Sequence, residues 1–182
     1  MALTKISETV ADGSATTVNF TGIDSTYKIY LFRFIGIRSG GTDHPGFLFN
    51  GSTDGGSSYN IQKTSGYWRA YNNANSSDNA VAILASGCLD PTADAGTVYQ
   101  RVLGGIADSG GNGSGSLIIF NPSQTTYDKY WISKCITVQD AANLYAIQSE
   151  TAGYFMTTSA INAVSFKVDA GNVAGTIQMW GL

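Results

Sequence analysis

Charge is scarce in this chain: Asp, Glu, Lys and Arg make up 13% of 182 residues, where an ordinary soluble domain carries about 25%. Histidine occurs once, as His44, cysteine twice, as Cys88 and Cys135, and glutamate twice, as Glu8 and Glu150. General acids and bases, nucleophiles and metal ligands come mostly from these scarce types. A site built from several histidines is therefore excluded. A His-dependent triad would have to use His44, whose flanks, Gly40-Gly41-Thr42-Asp43 and Pro45-Gly46, read as an exposed turn and not as the strand-to-helix elbow that holds a nucleophile.

Basic residues are equally few. Ten Lys and Arg against 13 Asp and Glu leave a net charge of −3, with no basic cluster to neutralise a phosphate backbone, so nucleic acid is excluded as a partner. No apolar run approaches the roughly 18 residues of a membrane span, and the opening Met-Ala-Leu-Thr-Lys-Ile-Ser-Glu-Thr-Val lacks the apolar stretch of a secretory signal. Synthesis in a cytoplasm is expected, and with it free thiols at Cys88 and Cys135, which form no CxxC pair.

Glycine-rich stretches at Gly104-Gly105 and Gly110-Gly111-Asn112-Gly113 are followed by no Gly-Lys-Ser/Thr and open no helix, so they are not phosphate loops. Asp12-Gly13, Asp54-Gly55-Gly56 and Asp108-Ser109-Gly110 lack the ligand series and closing glutamate of a calcium loop, and Asp-Gly is ordinary hairpin chemistry. No cofactor, metal or catalytic residue is assigned. The chain is not expected to be an enzyme.

What the sequence does contain is strand and turn. Apolar content is 43%, and there are 22 glycines but only 3 prolines. Apolar and aromatic runs recur between clusters of Gly, Asn, Asp and Ser, the pattern of a sandwich or barrel. The clearest run covers 27–37, with Ile29, Leu31 and Arg33 on one face and Tyr30, Phe32 and Phe34 on the other. Its near-continuous apolar character predicts a central strand covered on both sides. Further strands are predicted at 46–50, 59–63, 80–84, 99–106, 116–121, 127–138, 143–148, 152–157, 161–168 and 175–180, and a weaker one at 67–73. So many strands exceed what one open twisted sheet easily holds. The expected fold is all-β, an antiparallel two-sheet β-sandwich of jelly-roll type with almost no helix, formed by a single domain over residues 1–182 whose first 15 or so residues make an arm or an edge strand.

Turn residues have readable reasons. The segments 51–56 and 108–113 supply positive φ through glycine, and Asn121-Pro122-Ser123 stops a strand because proline cannot donate to a ladder. One aromatic cluster stands out: Tyr67, Trp68 and Tyr71, followed by Asn72, Asn73 and Asn75. It is the best local candidate for a glycan or protein contact, with packing of alternate aromatics in the core as the competing account.

Two parts of the chain resemble a known family. Phe20-Thr21-Gly22-Ile23-Asp24-Ser25-Thr26-Tyr27-Lys28 with the strand that follows, and the order of 115–122, 127–131, 157–161 and 175–181 in the second half, resemble small virion structural proteins of tailed bacteriophages, especially those of marine and cyanobacterial phages. The matching segments are strands and turns and carry no catalytic residues. The resemblance implies a non-enzymatic virion component, a capsid decoration (cement) protein or a tail or fibre part, made in the host bacterial cytoplasm. Its implied partners are itself, as a homo-oligomer with a trimer favoured, and other virion proteins such as the major capsid or tail proteins. An alternative reading from a different class is a lectin-like module that recognises a host-surface glycan.

Overall fold

A computed structural model describes residues 2–40, 44–92, 96–106, 110–139 and 144–182. The turn residues predicted at 41–43 and 108–109, and the first residue of the strand predicted at 143–148, lie outside them. The described residues form twelve strands: β1 (Thr4–Asp12), β2 (Thr17–Thr21), β3 (Ile29–Ser39), β4 (Phe47–Ser52), β5 (Lys63–Asn72), β6 (Asn79–Ile83), β7 (Gln100–Leu103), β8 (Gly113–Phe120), β9 (Lys129–Gln139), β10 (Tyr145–Phe155), β11 (Ala163–Val168) and β12 (Val173–Gly181). One turn of 3-10 helix at Ala85–Gly87 is the only helical element among the described residues.

Every pairing is antiparallel, in an eight-stranded sheet ordered β1-β12-β3-β8-β9-β10-β5-β6 and a four-stranded sheet ordered β2-β11-β4-β7. The pairs β1·β12, β2·β11, β3·β8 and β4·β7 fall alternately in the two sheets. That is a long antiparallel ribbon wound once into a sandwich, the jelly roll the strand count predicts. Two hairpins are inserted into it. β5–β6 leaves the ribbon between β4 and β7, β9–β10 leaves it between β8 and β11, and together they add four strands to one sheet only.

The core is strongly aromatic. Phe166 of β11 lies 5.2 Å from Phe32 and 5.3 Å from Phe34 of β3, and stacks on Phe47 of β4 at 5.7 Å, with edge-to-face contacts dominating around it. Trp131 of β9 meets Phe49 edge-on at 5.0 Å. Such pairs add about 0.5–1.5 kcal/mol each beyond area burial. Trp131 also needs a residue without a side chain beside it: a Cβ on Gly153 would sit 2.6 Å from the indole and 2.3 Å from the Thr64 carbonyl oxygen.

Several strand assignments change. β3 is interior in strand order, but only its Tyr30, Phe32 and Phe34 face is covered, while Arg33 and Ile35 are exposed. The strands predicted at 143–148 and 152–157 are one strand, β10, running without a break through Ser149-Glu150-Thr151. Residues 59–62 are not strand, and the weaker segment 67–73 lies largely within the ten-residue β5. The N-terminal segment is an edge strand, β1, held against β12.

Candidate functional site

In a two-layer sandwich the outward face of each strand should be polar, since it meets water. β9 breaks that rule. Trp131, Ser133, Cys135 and Thr137 point inward and are buried, yet the outward positions are Tyr130, Ile132, Lys134, Ile136 and Val138, with Tyr130 60%, Ile136 57% and Ile132 46% exposed.

The pairing registers extend this into rows across the eight-stranded sheet. One row is apolar: Trp180, Leu31, Ile118, Ile132, Ala152 and Gly66 are cross-strand partners in turn, from β12 to β5. Beside it, Tyr130 and Tyr154 pair across β9 and β10 with ring centroids 6.1 Å apart, and Phe120 pairs with Ile29. On its other side runs a polar row: Glu8, Gln178, Arg33, Ser116, Lys134, Glu150 and Trp68. Within that row Lys134 Nζ lies 3.0 Å from Glu150 Oε1, which also accepts from Gln148 Nε2 at 2.9 Å. Gln178 Nε2 donates to Glu8 Oε2 at 2.6 Å, and Gln178 Oε1 accepts from Trp180 Nε1 at 3.1 Å. Arg33 makes no ion pair or hydrogen bond with any of the described side chains.

Where the rows cross the inserted hairpins the face is troughed. Small residues, Gly66, Ala152 and Ser116, leave a groove of about 480 Å³ lined also by Trp68, Ile83, Ile118, Ile132, Lys134 and Glu150. The groove is made by residue size on a regular sheet and needs no loop.

The three aromatics singled out from the sequence do not share a surface. Successive strand residues point to opposite faces, so Trp68 lines the groove while Tyr67 and Tyr71 point to the inner side of β5. Tyr67 is 1% exposed and bonded to Ser149 Oγ at 2.9 Å. Its ring lies under the 3-10 turn, where a Cβ on Gly87 would come within 2.7 Å of it. Burial pushes its phenol above the ordinary range. Tyr67 is thus core, and Tyr71 sits at the inner rim, its ring 5.8 Å from Tyr145. His44 is half-buried, at φ 57°, where an exposed turn residue was expected.

Cys88 and Cys135 are free thiols. Cys135 is inert by environment, since burial pushes its thiol up to about 11. Asp54 accepts from the Ser52 and Ser58 hydroxyls and the Ser58 amide, which hold its carboxyl down to about 2. That is turn chemistry. Among the described residues no group of three or more His, Cys, Asp or Glu side chains converges.

No family model and no curated protein matches the sequence. Among solved structures, the chain is similar to the catalytic domain of an endo-1,3-beta-glucanase (laminarinase) from Thermotoga petrophila RKU-1, at 9% identity over 90% of this chain and 68% of that one, with a TM-score of 0.24. An overlap this loose carries nothing from one chain to the other.

Proposed function

We propose that this protein is a non-enzymatic structural component of a tailed-phage particle, a decoration protein or a tail or fibre part, and that the open face of its eight-stranded sheet packs against neighbouring copies of itself. The observation that carries the reading is the apolar row from Trp180 to Ala152 with its flanking aromatics, on a face that none of the described elements covers. Eight strands about 4.8 Å apart, about 26 Å deep over eight residues, present roughly 800–1,000 Å² in projection, against about 800 Å² per partner in a standard interface. The bordering polar row holds both signs, Glu8 and Glu150 against Arg33 and Lys134, so one copy's row can complement another's. Arg33, free of described partners, is the side chain with most to gain from a neighbour's carboxylate.

A non-catalytic role is supported by the carboxylates. Glu8 and Glu150 stand five strands apart, about 24 Å, whereas the acid pairs of glycoside hydrolysis work at about 5–9.5 Å. Asp12, Asp24, Asp54 and Asp90 are held ionised by nearby Ser and Thr groups in turns.

The second reading, recognition of a host-surface glycan, is favoured by one observation: the inserted hairpins that distinguish this sandwich from a bare jelly roll carry Trp68 and Tyr71 on their two faces. Light scattering tests the first reading. A mass that is a multiple of 19.2 kDa, with three copies the order implied by the phage resemblance, and detection of the chain in purified virions are expected. A monomer at every concentration together with absence from virions overturns it.

A further inference from the structure

The inner face of the inserted hairpins holds a second cavity, of about 250 Å³, lined by His44, Arg69, Tyr71, Asp78, Gln139 and Ile147 together with Tyr145. Its side chains form a chain of contacts. The Arg69 guanidinium carbon lies 5.1 Å from the Tyr71 ring centre, Tyr71 meets Tyr145 edge-on at 5.8 Å, and the Tyr145 hydroxyl donates to Asp78 Oδ2 at 2.8 Å. Register explains the assembly: Tyr71 faces Ile147 across β5 and β10, Arg69 is two residues along β5 on the same face, and Asp78 sits where the β5–β6 turn comes back.

Arg69 is the unusual member. Its Nε is shut off from solvent without a hydrogen-bond partner, and among the described residues no carboxylate lies within ion-pair distance. A guanidinium fixed over a tyrosine, with its donors unspent, is a fork for one carboxylate. Asp78 limits what can bring that carboxylate. Its own charge opposes a dianion such as phosphate, and its acceptor oxygens call for a ligand that carries hydroxyl donors beside its single negative charge. Tyr71, Tyr145 and Ile147 give the cavity apolar walls that suit the C–H face of a ring.

We propose that this cavity binds one acidic monosaccharide unit, a uronic-acid residue of a surface glycan. Arg69 holds the carboxylate, Asp78 accepts from ring hydroxyls, and Tyr71 and Tyr145 flank the ring. This rests on the second reading above, that the chain meets a glycan, and is independent of self-association.

The test is ligand-observed NMR or calorimetry on the full chain with D-glucuronate and D-galacturonate, their methyl esters, D-glucose and acetate as probes. Millimolar binding of a uronate is expected, weakened at least tenfold by esterification and lost in Arg69→Gln. The ester comparison needs no variant, so it stands even where Arg69→Gln does not fold. Neutral sugars or esters that bind as well as the acids overturn the acidic-sugar inference while leaving the glycan reading intact. Acetate binding as well as a uronate reduces the cavity to a carboxylate site and overturns it too. No binding of any sugar overturns both.

Discussion

Asn50 shows how closely the buried polar groups are matched. It is fully buried on β4, and its amide makes four hydrogen bonds: Nδ2 donates to the carbonyls of Tyr59 at 2.8 Å and Gly96 at 2.9 Å, while Oδ1 accepts from the Gly51 amide and from Lys63 Nζ, both at 2.9 Å. Lys63 is itself fully buried and also donates to the Ile61 carbonyl at 2.6 Å. Removing the amide strands several buried groups at once, each worth about 1–3 kcal/mol. Asn50→Ala is therefore expected to destabilise the fold by about 2–4 kcal/mol, read as a lowered urea midpoint with an unchanged slope. A second residue gives a pH signature. Because the folded pKa of Asp54 is depressed to about 2 from 3.8, its contribution is fully present above pH 4 and is lost as pH falls through the interval to 2. Amide exchange in the 52–58 loop should quicken over that interval in the native chain and show no such step in Asp54→Asn.

Among the elements, the ones legible in the sequence are those whose two faces differ or whose ends are marked. β4, β6, β8 and β12 lie within a few residues of their predicted positions because Gly, Asn and Pro punctuate them. β2 was missed, being only five residues with polar alternates. Between the strands predicted at 143–148 and 152–157, Ser149 and Thr151 are buried inward, bonded to Tyr67 and to the Gly66 carbonyl, so the polar triplet Ser149-Glu150-Thr151 serves as strand. Trp68 was legible as a contact residue, but grouping it with Tyr67 and Tyr71 ignored the two-residue period of the strand they occupy. The signal for the open face lay in the outward positions of β9, Tyr130, Ile132, Ile136 and Val138, and the near-continuous apolar run of β3 led to the expectation of two covered faces. Arg69 and Asp78 gave no signal, since their meeting depends on the β5–β6 turn and the pairing of β5 with β10. Packing inside the insertion also yields a prediction. Gly153→Ala has no relaxed solution, because the methyl meets the Thr64 backbone and the buried Trp131 together. A loss of about 1–3 kcal/mol, typical of overpacking, is expected in thermal unfolding, with near-UV circular dichroism of the tryptophans altered.

For the whole molecule, the topology separates two jobs. The wound ribbon of eight strands supplies most of the aromatic core, to which the added strands contribute Trp131 and Phe155, and the four added strands widen one sheet well beyond the other. The outward isoleucines Ile132 and Ile136 lie on β9, one of the added strands. An uncovered apolar row of this extent is costly in water and is commonly an interaction surface. If it is the contact between copies, one charge at its centre should abolish assembly without touching the core, since Ile132 points away from it and is 46% exposed. Ile132→Glu is expected to give a monomer near 19 kDa with the far-UV spectrum and urea midpoint of a folded β protein. Thr17→Glu, on the exposed face of β2 in the other sheet, is the matched control and should keep the native association state. Equal oligomer masses for the native chain and Ile132→Glu would place the contact elsewhere on the molecule.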